Sequence, residues 1–233
     1  MPLIEYGAVY LILIVGLMVA FQYFLRKIFF NRDVNVLESY DKQLILYPCD
    51  GRLAYTRSVE GEAYAQKKQN KISIGFQDEK CYHVGVYMSP YDRHFVVAPL
   101  RGRIKKIEKV NAGVHWPMLD LLEYAKSGFW MSFDNWFNRK FDKYLKDNEK
   151  VVITIAPRPY REIKVVLIGD KCVNKIDIFC SEGDWVRKGD KLGFIRRGSQ
   201  VDLLIPEVLM DFRVPKKIGA KIKAGDKFGR LHD

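Results

Sequence analysis

The feature that most constrains the fold is an internal repeat near the C-terminus. Gly183-Asp184-Trp185-Val186-Arg187-Lys188-Gly189-Asp190-Lys191-Leu192-Gly193-Phe194-Ile195 returns, at a constant offset of 36, as Gly219-Ala220-Lys221-Ile222-Lys223-Ala224-Gly225-Asp226-Lys227-Phe228-Gly229-Arg230-Leu231. In each copy Gly and Asp supply the left-handed and side-chain-bonded turn positions, and the Val, Ile, Leu and Phe between them pack inward. A shorter pair lies upstream: Pro48-Cys49-Asp50-Gly51-Arg52-Leu53 and Pro99-Leu100-Arg101-Gly102-Arg103-Ile104. Around these repeats the chain reads as short strands. Leu44–Tyr47, Lys71–Ile74, His83–Met88, Val151–Ile155 and Lys164–Ile168 are β-branched runs bounded by Gly, Pro, Asp or Asn.

Such Gly-Asp-x-Val-x-x-Gly-Asp hairpins resemble those of lipoyl and biotinyl carrier domains, which are built as two interlocked β-halves. The likeness concerns architecture alone, because a carrier needs a modifiable lysine in a Met-Lys-Met or acidic context, and no such tripeptide occurs. The expected class is α+β: a mainly antiparallel β core with lipoyl-like paired hairpin halves, an N-terminal transmembrane helix and a helical insertion. The insertion is expected over 118–144, where Leu121, Leu122, Phe129, Trp130, Phe133, Trp136, Phe137 and Phe141 fall at helical spacing. Its basic, aromatic second half fits a membrane interface and fits a sheet cover equally well.

The transmembrane expectation rests on Tyr6–Leu25, twenty residues without a charge. At about 1.5 Å per residue such a run spans the roughly 30 Å hydrocarbon core. Arg26, Lys27 and Arg32 follow it while Glu5 alone precedes it, which predicts a cytoplasmic main domain on the cell membrane. An acidic start and a Phe-Gln-Tyr-Phe-Leu end argue against a cleaved signal peptide. The chain thus divides into an anchor over 1–30 and one domain over 31–233.

Composition bounds the partners. With 48% hydrophobic residues the chain is not mainly disordered, and 39 basic against 28 acidic residues give a net charge of +11. That excess suggests an anionic partner, nucleic acid or a lipid face. Nucleic-acid binding rests on charge alone, since no recognition motif is present. Cys49, Cys81, Cys172 and Cys180 lack C-x-x-C spacing, so neither a metal site nor a disulfide framework is expected.

Only four histidines are available for chemistry: His83, His94, His115 and His232. His94 ends Met88-Ser89-Pro90-Tyr91-Asp92-Arg93-His94, just after an apolar strand; Asp50 lies in a turn; Ser199 follows Gly198 between two strand-like runs. An Asp, a His and a Ser at strand ends suit a charge-oriented base and a nucleophile. Spacing alone does not separate that triad from ordinary turn chemistry.

Taken in order, the motifs resemble the phosphatidylserine decarboxylases, specifically their short, archaeal-type branch. They are Pro-x-Asp-Gly at 48–51, Met-Ser-Pro-x-Asp-x-His at 88–94 followed by Ala98-Pro99-x-x-Gly102, and Gly198-Ser199-x-Val201-Asp202. The Glu182–Asp190 hairpin precedes Gly-Ser at the family's usual distance. The sequence departs from the family at Val97, where the long bacterial form has a second His and the short form tends to have Arg. It departs again at Arg197, where a large apolar residue is common, and in a longer, more aromatic 112–150 region.

The resemblance implies a self-processing, pyruvoyl-dependent decarboxylase of phosphatidylserine. Ser199 would attack the Gly198 carbonyl, cutting the chain into 1–198 and 199–233 and leaving a pyruvoyl group at residue 199. His94 matches the family's base and Asp50 the acid that orients it. The pyruvoyl ketone replaces pyridoxal phosphate as the electrophile for an amine substrate, with no metal. The implied partners are a membrane phospholipid, an anionic membrane surface and the two cleavage products held to one another; a homo-oligomer is compatible, nucleic acid is not expected. Arg93, Arg101 and Arg103, flanking the His94 motif, are candidates for the substrate phosphate and equally fit solvated strand ends. Two rival readings keep the fold but change the function: a pyruvoyl enzyme for another serine-headed lipid or a small amino acid, and an unprocessed, membrane-tethered lipoyl-like binding module.

Overall fold

The computed structural model describes residues 2–24, 32–36, 41–60, 76, 79–89, 92–110, 148–169, 176–196, 199–210 and 216–232. The helical insertion expected over 118–144 lies outside the described residues, as does Gly198.

After helix α1 (Pro2–Phe24), the described chain is antiparallel β. The strands are β1 (Leu44–Leu46), β2 (Gly51–Glu60), β3 (Lys80–Met88), β4 (Phe95–Val97), β5 (Gly102–Val110), β6 (Lys150–Ala156) and β7 (Ile163–Gly169). There follow β8 (Ile176–Ile178), β9 (Trp185–Val186), β10 (Lys191–Ile195), β11 (Ser199–Pro206), β12 (Lys221–Ile222) and β13 (Lys227–Arg230). Eight of them form one sheet in the order β12-β2-β3-β11-β7-β6-β5-β9; β4-β10-β8 and β1-β13 form smaller sheets. The central strands are near-continuous apolar runs such as Val151-Val152-Ile153, buried along their length, which is what a strand covered on both faces requires. Nearer the edge, β5 begins by alternating: Gly102 and Ile104 are buried while Arg103 and Lys105 are exposed. One core gathers Leu53, Val84, Val86, Ile104, Ile153, Val165, Leu167, Val201 and Leu203.

The sequence repeats become a pseudo-twofold. The Gly225 amide donates to Tyr47 O at 3.0 Å and Tyr47 N to Asp226 O at 2.8 Å. In the other half, Gly189 N donates to Ala98 O at 3.0 Å and Ala98 N to Asp190 O at 2.8 Å. Gly219 N to Leu53 O, 2.7 Å, likewise mirrors Gly183 N to Ile104 O, 2.8 Å. Each hairpin of the C-terminal repeat therefore clasps one copy of the upstream repeat. Gly189 and Gly225, at φ 84° and 89°, both abut Val36, and a Cβ on either would come within 2.8 or 2.7 Å of its side chain. Val36 is thus a wedge shared by the two turns.

The N-terminus requires a correction. Residues 2–24 are helical, but among the described residues no helix is long and apolar enough to cross a membrane. The expected N-terminal transmembrane helix is therefore not supported. The cell-membrane localisation with a cytoplasmic domain, which was argued from it, loses its premise. The apolar side chains of this stretch, Val9 to Phe24, are exposed.

Candidate active site

The site is built at one end of the large sheet. Ser199, the first residue of β11, pairs with Met88 at the end of β3 on one side and with Gly169 at the end of β7 on the other. Met88 is fully buried and its chain continues into the turn that carries His94. That turn closes on itself: the Ser89 amide and hydroxyl both donate to Asp92 Oδ2, at 2.8 and 2.7 Å. His94 is then fixed from the far side, its carbonyl accepting Ile195 N at 3.1 Å, four residues before Ser199. Its ring is buried and meets Phe194 edge-on, centroids 6.5 Å apart. Burial pushes the His94 pKa down to about 4, against the smaller upward pull of Asp92 and Asp50. The imidazole is therefore neutral near pH 7, which is the form a general base needs.

Asp50 reaches the same end through the Pro48–Gly51 turn. Gly51 has φ 153°, and a Cβ there would stand 2.2 Å from the Tyr87 carbonyl oxygen, so only glycine lets the turn lie against β3. The Asp50 carboxylate takes Arg93 in a fork: Nε donates to Oδ2 at 2.6 Å and Nη2 to Oδ1 at 3.1 Å. Oδ1 also accepts the Ala224 amide at 2.9 Å. Hydrogen bonding to Asp50 is the main reason the Arg93 pKa lies above its ordinary value.

Asp50, His94 and Ser199 are thus brought to one sheet end, although Asp50 accepts its hydrogen bonds from Arg93 and Ala224 and acts on His94 through its charge. The candidate phosphate arginines diverge. Arg93 is engaged by Asp50. Arg101 is exposed, at the pseudo-twofold counterpart of Asp50, so one half of the repeat carries a carboxylate where the other carries a cation. Arg103 donates to Gly183 O at 3.0 Å and pairs opposite Ala156. That position is by the Ile163 end of β7, about 20 Å of strand away from Gly169. Two clefts, about 350 and 450 Å³, also open at that far end and share Ala156, Arg158 and Glu162. They stand apart from Ser199. Among the described residues, no cluster of His, Cys, Asp or Glu could hold a metal.

Sequence reasoning missed a buried polar cluster on the strands next to Ser199. Tyr55, His83, Gln200 and Asp202 are all buried, and their polar ends meet within hydrogen-bonding distance. The available signal was Gln200-x-Asp202, two polar residues at period two in an otherwise apolar strand.

The order and spacing of these elements can be compared with known proteins. The profile of the phosphatidylserine decarboxylase family matches residues 5–230. The chain belongs to the phosphatidylserine decarboxylase family. It is 31% identical over 198 residues to a putative archaetidylserine decarboxylase proenzyme of Methanopyrus kandleri, covering 85% of this chain and 78% of that one. It is 29% identical over 179 residues to a phosphatidylserine decarboxylase proenzyme of Ruegeria pomeroyi, covering 77% and 68%. A putative archaetidylserine decarboxylase proenzyme of Methanocaldococcus jannaschii is 25% identical over 202 residues, 85% of each chain. As a member of the phosphatidylserine decarboxylase family, this chain is a decarboxylase of a kind made as a proenzyme.

Proposed function

We propose that this chain is a self-processing, pyruvoyl-dependent decarboxylase that removes CO2 from the serine head group of a phospholipid. The observation that carries the reading is the convergence of Asp50, His94 and the Ser199 end of β11. Neutral His94 takes the Ser199 hydroxyl proton as the oxygen attacks the Gly198 carbonyl carbon. The Gly198–Ser199 peptide bond breaks, an ester replaces it and the Ser199 nitrogen becomes a free amine. Loss of the Ser199 α-proton expels the ester carboxylate, ending the 1–198 chain and leaving dehydroalanine. Water then enters, ammonia leaves, and the 199–233 chain starts with a pyruvoyl group.

The surroundings fit that group. In β11 residue 199 pairs with Met88 on one side and Gly169 on the other, both of them buried. When present, the group supplies the electron sink that lets carbon dioxide depart from the amine-bearing carbon of the substrate. The Arg93–Asp50 pair holds the turn bearing His94 against the turn bearing Asp50. The net charge of +11 supports a phosphate-bearing head group and attraction to an anionic lipid surface.

Relatives named for phosphatidylserine and for archaetidylserine lie at similar identity, so both lipids are candidate substrates. Intact mass tests the processing: the expectation is a blocked fragment of about 4 kDa from the 27.2 kDa chain, absent in Ser199→Ala. A matured wild-type protein that stays in one piece sinks the reading. Release of CO2 from each lipid in detergent micelles then separates the substrates.

A further inference from the structure

The buried cluster beside the cleavage point has a directed hydrogen-bond pattern. Arg57 Nε donates to His83 Nδ1 at 3.3 Å, so that nitrogen carries a lone pair and the ring proton sits on Nε2. His83 Nε2 lies 2.9 Å from Asp202 Oδ2, to which the Tyr55 hydroxyl also donates at 2.8 Å. Gln200 Nε2 spends one hydrogen on Asp202 Oδ1 at 2.6 Å and the other on the Tyr55 oxygen at 2.9 Å. Three side chains therefore donate to one carboxylate of zero exposure, and a buried carboxylate is tolerable only with such donors. Tyr55 can cross to Asp202 because Gly85, the cross-strand neighbour of both, leaves the space: a Cβ at Gly85 would stand 2.3 Å from the Tyr55 ring.

The location gives this pattern its meaning. Gln200 and Asp202 are the second and fourth residues of β11, directly after Ser199. In the intact chain, covalent continuity with β10 holds that end of the strand. After cleavage, residue 199 becomes a chain end, and ends of strands fray. Pairing with β3 and β7 fixes β11 along its backbone, while the side-chain cluster ties its first residues laterally to β2 and β3.

We infer that Tyr55, His83, Gln200 and Asp202 form a clamp that keeps the newly made N-terminus of the 199–233 fragment in its strand. These are positioning residues; they hold residue 199 against its partners and do not touch the reacting bond. The inference rests on the proposed self-cleavage.

Tyr55→Phe keeps the ring over Gly85 and deletes only the hydroxyl, and Gln200→Ala removes the residue next to the cut; the two variants probe the clamp independently of overall folding. Hydrogen exchange at the 200–202 amides is measured in the processed enzyme and in the uncleavable Ser199→Ala background. The expected result is exchange about tenfold faster in the processed variants and within about twofold in the uncleaved ones. The processed variants should also lose about tenfold in kcat for the serine-headed lipid at unchanged KM. Equal exchange changes in both backgrounds would make the cluster ordinary core, and no change in either would remove the clamp. If the wild-type chain never yields the blocked fragment, the function reading itself fails and the clamp falls with it.

Discussion

Asp50 binds Arg93 through both carboxylate oxygens, at 2.6 and 3.1 Å, and one of those oxygens also holds the Ala224 amide. One side chain thereby joins three segments: the Pro48–Gly51 turn, the His94 turn and the C-terminal repeat. Replacing it removes the acceptors of Arg93 Nε and Nη2 and leaves the Ala224 amide without this acceptor. Hydrogen bonds to charged groups contribute about 1.5–3 kcal/mol, so Asp50→Ala is expected to slow self-cleavage by about 10- to 100-fold. The check is a time course of intact mass; cleavage at the wild-type rate would remove Asp50 from the mechanism.

The burial of His94 predicts an unusual pH profile. With its pKa lowered to about 4, the imidazole stays neutral from pH 8 to 5, and the cleavage rate should be flat across that interval. It should fall tenfold per pH unit only below about 4. A titration near 6.5 would mean that another group is the base.

The same depression affects stability, and its sign is fixed. An unfolded histidine binds its proton near 6.5 and folded His94 near 4. Stability present above pH 6.5 is therefore lost as the pH falls toward 4, by about 3 kcal/mol from this residue alone. Urea midpoints for the wild type and His94→Gln across that range should converge in acid, because the variant lacks this loss. Parallel curves would show that His94 is protonated alike in both states.

Gly51→Ala places a methyl group 2.2 Å from the Tyr87 carbonyl oxygen at φ 153°. Backbone cannot yield as a flexible side chain does, so the expected loss is about 2–4 kcal/mol, read as a lower melting temperature. Because the displaced turn carries Asp50, cleavage should slow as well. An unchanged melting temperature would mean the turn and β3 separate easily.

Much of the fold was legible because repetition is a strong signal. Gly189 and Gly225, equivalent in the sequence, adopt the same φ and press on the same Val36. The end of β3 was legible too, since the apolar run His83–Met88 stops at Ser89. The Arg93–Asp50 fork was not legible, because its partners are 43 positions apart and nothing local pairs them. Arg103 was grouped with Arg93 by nearness in sequence, yet an antiparallel strand carried it to the opposite end of the sheet. At the N-terminus, apolar composition over 6–25 predicted a span that the described helix does not support. Tyr55 and Asp202 are 147 residues apart and meet only across Gly85, an encounter decided by register and by one missing side chain.

The pseudo-twofold also sets an order of events. The second hairpin of the repeat, β12 and β13, is threaded against β2 and β1, so the two halves complete each other. While the chain is continuous, that closure is intramolecular and independent of concentration. Under the proposed cleavage, residues 199–233 become a separate peptide, and the same closure would be a bimolecular encounter of a short segment with an unfinished partner. On that proposal, folding precedes scission. Supplying 1–198 and 199–233 as two polypeptides would turn maturation into a second-order assembly reaction, its rate rising with the concentration of each piece.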